Sequence, residues 1–186
     1  MGLLTTAVRD GWQEFLGVYG AMTVSGVPKP AWTAFKLLHK HAGDVRLPTT
    51  VGGQGNTTYI SAMATTNSTS ATAANNPLRV FLSFWGNPDT CCNATARTVR
   101  LTVNHCAGVL PTKAVMHVLD DRSGNVQAMW RSFGSPNKPS PAQLVQLQAA
   151  SAAGVVPASA LGKVNNTATV VTVQMEENSA VVVEYI

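Results

Sequence analysis

Phe133-Gly134-Ser135-Pro136-Asn137-Lys138-Pro139-Ser140-Pro141-Ala142-Gln143 joins the end of one helical pattern to the start of another. Gly134 can take the left-handed conformation that ends a helix. Pro136 and Pro139 hold an extended link. Ser140 and Gln143 form a capping box, with Pro141 at the first helical position. Upstream, Val126, Met129, Trp130 and Phe133 share one helical face behind Asn125, which can cap the helix. Downstream, Leu144, Leu147 and Gln148 give an amphipathic helix from Pro141 to about Ser151.

Around this helical pair the texture is β. Thr58–Ala64, Leu78–Trp85, Thr98–Val103, Ala114–Leu119, Thr169–Met175 and Ala180–Ile186 are short, β-branched runs bounded by Asn, Pro, Gly or Ser clusters. Val171, Val173 and Met175 alternate with Thr172 and Gln174, the period of a half-buried strand. The pattern predicts an antiparallel sandwich. Glu176-Glu177-Asn178 reads as a solvated hairpin tip joining the last two strands. Nearer the N-terminus, residues 11–25 are rich in Gly and aromatics and read as a loop. Ala31, Ala34, Phe35 and Leu38 then have the spacing of a helix with one buried face, started by Pro30 and ended by Gly43.

The chain has 186 residues and an apolar fraction of 45%, enough for one core. Its charged fraction of 12% is about half the usual share. The net charge of +4 comes from scattered Lys and Arg, so no nucleic-acid footprint exists and no nucleic-acid partner is expected. No apolar run reaches transmembrane length, and no membrane partner is expected.

Four Asn-x-Ser/Thr sequons, at Asn56, Asn67, Asn93 and Asn165, lie in polar segments suited to surface loops. They favour a secreted or lysosomal protein carrying N-glycans. No signal peptide is visible, so the expected N-terminus lies upstream of Met1. Cys91 and Cys92 are separated from Cys106 by a strand-like segment. At about 3.3 Å per residue it spans roughly 23 Å, too far for Cys106 to pair with either unless the strand folds back. A vicinal bridge would be strained. Free thiols, or a partner in another segment, are the simpler reading.

No catalytic constellation is legible. Asp120 and Asp121 point to opposite faces of any strand and read as turn residues that bind amides. His39 and His41 do not share a helical face, and His117 reads as a core or rim histidine. No metal ligand set and no cofactor motif appears. Trp12, Phe15 and Tyr19 crowd one loop, where they can stack on a sugar or simply pack.

Two segments resemble family-39 glycoside hydrolases, the group that includes β-xylosidases and α-L-iduronidase. The first is Gly20-Ala21-Met22-Thr23-Val24-Ser25-Gly26-Val27-Pro28-Lys29-Pro30-Ala31-Trp32-Thr33-Ala34-Phe35-Lys36-Leu37-Leu38, which looks closer to the β-xylosidase branch. The second runs from His117-Val118-Leu119-Asp120 through Trp130-Arg131-Ser132-Phe133-Gly134 to Pro141-Ala142-Gln143-Leu144 and Ala149-Ala150-Ser151. The closing strand Ser179–Tyr185 also fits.

The resemblance implies a mainly β fold. An antiparallel β-sandwich with a two-helix insertion would be preceded by the last loop and helix of a truncated (β/α)8 barrel. Residues 1–45 would be the barrel remnant and 46–186 the sandwich, with the insertion at about 125–152. It further implies a parent enzyme that hydrolyses β-xylosides or related glycosides with retention, without a cofactor, through two barrel glutamates upstream of this chain. The usual Asn-Glu-Pro setting is absent here, so no catalytic residue is carried over. Tyr19 falls where the last barrel loop borders the family's active site and is a candidate substrate-side residue. The chain alone is expected to be non-catalytic, with carbohydrate bound through the missing barrel. The alternative is a secreted sandwich that binds carbohydrate or protein without enzymatic activity.

Overall fold

The computed structural model describes residues 14–15, 20–52, 59–67, 77–85, 96–104, 110–158 and 162–186. Three helices and nine strands occur among them: α1 (Pro30–His41), β1 (Val45–Leu47), β2 (Ile60–Thr66), β3 (Leu78–Phe84), β4 (Ala96–Asn104), β5 (Ala114–Leu119), α2 (Gln127–Ser132), α3 (Pro141–Ala150), β6 (Gly154–Pro157), β7 (Gly162–Asn165), β8 (Ala168–Glu176) and β9 (Ser179–Tyr185). The chain forms two compact units, Met1–Lys36 with Leu119–Gly154, and Leu37–Val118 with Val155–Ile186.

The second unit is the β-sandwich. One sheet has six strands in the order β1-β2-β3-β9-β5-β6, and the other has three in the order β4-β8-β7. β1–β2, β2–β3, β3–β9, β4–β8 and β7–β8 are all antiparallel. Period-2 alternation decides what each sheet buries. Val80, Leu82 and Phe84 of β3 share a core with Val181, Val183 and Tyr185 of β9 and with Val171, Val173 and Met175 of β8. Cross-strand partners such as Val80–Val183 and Val99–Val173 keep the apolar rows in register. The alternation expected along β8 is present, with Thr172 and Gln174 exposed.

One expected connection differs. Glu176-Glu177-Asn178 does not close a hairpin, because β8 and β9 belong to different sheets. Asn178 takes a positive φ of 57°, and the Ser179 hydroxyl donates to the Glu176 carbonyl at 2.6 Å. The turn therefore hands the chain from one layer to the other, and Glu176 and Glu177 are half-buried rather than fully solvated.

The first unit contains the helical pair. Gly134 has φ 80°, and its N–H and that of Ser135 donate to the Arg131 and Trp130 carbonyls, closing α2. The Trp130 indole N–H reaches the Pro136 carbonyl at 3.1 Å and ties the linker to the helix that precedes it. The linker bends at Asn137 and Lys138 before α3 begins. Ser140 and Gln143 make both bonds of the expected capping box, at 3.3 and 2.8 Å. Ahead of α2, the cap position falls on Val126, one residue later than expected. Asn125 still supplies the oxygen that accepts the Gln127 N–H. Val126 and Leu147 are fully buried, with Met129, Trp130, Phe133 and Leu144 packed around them.

The N-terminal loop in this unit is held by its own polar groups. Thr23 is fully buried and exchanges bonds with Val27 through both backbone and hydroxyl. α1 follows, and its buried face is not the expected one. Thr33, Leu37 and His41 are buried, whereas Ala31, Phe35 and Leu38 are exposed. Thr33 is accommodated because its hydroxyl donates to the Ser151 carbonyl at 2.9 Å.

Candidate functional site

The residues singled out from sequence occupy varied places. Tyr19, Asn56, Asn93 and the three cysteines lie outside the described residues. Asn67 follows β2, and its carbonyl oxygen accepts from Arg79 at 3.4 Å. Asn165 ends β7 in an exposed turn, where its side-chain oxygen accepts from the Thr167 N–H and hydroxyl at 2.8 and 3.0 Å. Asp120 accepts from the Arg122 and Ser123 N–H groups, and Asp121 accepts from the Asn125 amide. Both thus do the turn-building work expected of them.

One buried and one half-buried carboxylate carry the notable polar chemistry. In the first unit Glu14 is 2% exposed. One of its oxygens accepts the Ser25 N–H at 3.0 Å, and the other has no hydrogen-bond partner among the described residues. Glu14 therefore braces the loop that leads into α1. The adjacent Phe15 packs its ring 5.2 Å from that of Trp130.

The second carboxylate, Glu184, is the centre of a cluster in the sandwich unit. On β9, Val181, Val183 and Tyr185 face the core, so Glu184 faces the opposite side of the six-stranded sheet. β3 and β5 flank β9. By the same alternation they place Arg79 and His117 on that outer face. Arg79 is the direct cross-strand partner of Glu184, and its Nε donates to Oε1 at 3.0 Å. The other oxygen, Oε2, lies 3.6 Å from His41 Nδ1 and 3.8 Å from His117 Nε2. His41 is the last residue of α1, and Leu37 and His41 lie in the same compact unit as the three strands.

These distances matter for the chemistry. At 3.6 and 3.8 Å neither imidazole is hydrogen-bonded to the carboxylate. His41 Nε2 and His117 Nε2 are buried without a hydrogen-bond partner among the described residues. The two rings stand 4.2 Å apart at their centroids, tilted by 41°. Burial, and then the neighbouring His117, push the His41 pKa below its ordinary value, while Glu184 pulls the other way. His41 is thereby biased toward the neutral ring that can act as a metal ligand. One donor atom from each of His41, His117 and Glu184 falls within 4.8 Å of the others.

Sequence reading did not find this cluster. Its members are spread across a helix end and two strands, and no metal-binding spacing exists on any one element. The available signal was parity: Glu184 and Arg79 interrupt the outer faces of otherwise apolar strands.

Three comparisons bear on the chain as a whole. No curated protein sequence matches it. Among solved structures it is similar to the GH39 enzyme from Xanthomonas axonopodis pv. citri, with a TM-score of 0.64 and 22% identity over 93% of this chain and 33% of that one. A monomeric β-xylosidase from Caulobacter crescentus CB15 gives a TM-score of 0.60 and 21% identity over 94% of this chain and 34% of that one. A GH39 β-xylosidase structure from Caulobacter crescentus gives 0.62 and 19% over 96% and 34%. The chain thus spans about a third of the length of these proteins. The family model for Glycosyl hydrolases family 39 matches residues 7–165, most of the molecule. On that match, joined to the shared fold, the chain belongs to family 39 of the glycosyl hydrolases.

Proposed function

We propose that this chain is the C-terminal part of a retaining glycoside hydrolase acting on β-xylosides or related O-glycosides. Within that protein it is a non-catalytic structural part. Residues 1–45 would supply the last loop and helix of a (β/α)8 barrel, and residues 46–186 the sandwich domain that braces it, with its helical insertion at about 125–152. Family membership and the β-xylosidases among similar structures support the substrate class. The sequons at Asn56, Asn67, Asn93 and Asn165 support a secreted or lysosomal route.

The observation that carries the structural role is the outer face of α1. Phe35 is 66% exposed, with Trp32 and Leu38 beside it at 36% and 37%. Three large apolar side chains at helical spacing are the pattern of a face that packs against neighbouring helices. A barrel helix needs such neighbours on both flanks, whereas a self-contained binding module would bury this stripe within itself.

The test uses Phe35→Lys in two settings. In the 186-residue chain the substitution should reduce self-association in light scattering and leave the denaturation midpoint unchanged. In a longer protein carrying an upstream barrel it should lower the midpoint and the β-xylosidase activity. Equal effects in both settings would favour the binding module. The purified chain should not turn over an aryl β-xyloside; turnover that disappears in Tyr19→Ala would overturn the non-catalytic assignment.

A further inference from the structure

We propose that His41, His117 and Glu184 form a binding site for one divalent transition-metal ion, zinc by its chemistry, on the outer face of the six-stranded sheet. Two imidazoles and one carboxylate are a ligand set suited to zinc, with a fourth position left for water. A tetrahedral ion with bonds of about 2.0–2.1 Å holds its donors about 3.4 Å apart. The Glu184 Oε2 distances of 3.6 and 3.8 Å lie within about half an ångström of that spacing. All three donors fall inside 4.8 Å, so modest side-chain rotation closes the set.

Three further features support a metal rather than a simple ionic cluster. First, His117 Nε2 faces Glu184 Oε2 at 3.8 Å and is buried without a hydrogen-bond partner among the described residues, whereas buried imidazole nitrogens are normally satisfied. Second, the 3.0 Å bond from Arg79 engages Oε1 and leaves Oε2 directed at the histidines. A metal-bound carboxylate is usually oriented in this way by an outer partner. Third, the site is largely shielded from solvent: the His41, His117 and Glu184 side chains are 5%, 12% and 19% exposed. A cation there would add to Arg79 in offsetting the cost of keeping a half-buried carboxylate beside one buried and one half-buried ring. The ion would fasten the C-terminal end of α1 to β5 and β9, a structural role independent of glycoside hydrolysis.

The test is equilibrium dialysis of the tag-free 186-residue chain against zinc alone, with its cysteines alkylated so that thiols cannot compete. One zinc per chain is expected in the wild type and in the exposed-site control His39→Ala. His41→Ala and His117→Ala should each weaken binding roughly tenfold or more, at least the loss seen when an outer partner is removed. Cobalt substituted into the wild type should give the intense visible bands of four-coordinate geometry, a readout that does not depend on a variant folding. Zinc should also raise the wild-type unfolding temperature in a concentration-dependent way. No zinc bound at tens of micromolar, binding indifferent to both histidine substitutions, or a weak six-coordinate cobalt spectrum would each overturn the site.

Discussion

Arg79 and Glu184 stand directly opposite each other on β3 and β9, joined by a 3.0 Å bond between Nε and Oε1. Both side chains are largely buried, so each depends on the other for solvation lost on folding. Arg79→Met is expected to destabilise the chain by about 3 kcal/mol, because it strands a buried carboxylate. Adding Glu184→Leu should recover part of that loss. A double-mutant cycle by urea denaturation in the presence of a chelator checks it; additive losses would show that the pair is not coupled.

Gly43 lies against β2, where its N–H donates to the Thr65 hydroxyl at 3.0 Å. A Cβ on Gly43 would overlap the carbonyl group and Cα of Thr66, which are backbone atoms with little freedom to yield. Gly43→Ala should therefore cost about 1–3 kcal/mol, and more than Thr65→Val, which removes one acceptor at about 1 kcal/mol. Chemical denaturation of the two variants tests the order.

The two ends of the linker can be separated by substitution. Trp130→Phe removes the indole bond to Pro136 and should cost about 1 kcal/mol. Ser140→Ala removes the cap of α3 and should cost about 1 kcal/mol, whereas Ser140→Asp should be close to neutral. Thermal melts followed by circular dichroism distinguish these outcomes. A neutral Ser140→Ala would show that the capping box adds nothing to stability.

The sequons differ in access. Asn165 is exposed in a turn, while Asn67 is half-buried and bonded to Arg79. On expression through a secretory pathway, glycan occupancy should be higher at Asn165 than at Asn67. Glycopeptide mass spectrometry measures both, and Asn165→Gln should remove one glycan mass from the chain.

What could be read from sequence was local chemistry. The Gly134 stop and the Ser140–Gln143 cap were legible because each bond involves residues a few positions apart. Strands were legible from alternation, with ends moved by one or two residues. Short β1, β6 and β7 gave too few positions to show a period. The partition into sheets was not read, although a signal existed. A two-residue turn at Glu177–Asn178 would put odd positions of β8 beside even positions of β9. Both strands instead send odd positions, such as Val173 and Val183, into the core. The buried face of α1 was misjudged for another reason: Phe35 and Leu38 of its apolar stripe are exposed, and polar Thr33 is buried through a bond to distant Ser151.

The six-stranded order places β9, the last of the nine described strands in sequence, between β3 and β5. The sheet therefore cannot close as its strands are synthesised. β3 and β5 must wait for an edge that emerges after both, and until then each presents unpaired backbone groups. Assembly of this sheet is a late event, completed at its middle, where β9 joins strands made before it. A nascent chain halted before Ser179 would hold two open edges for other strands to find.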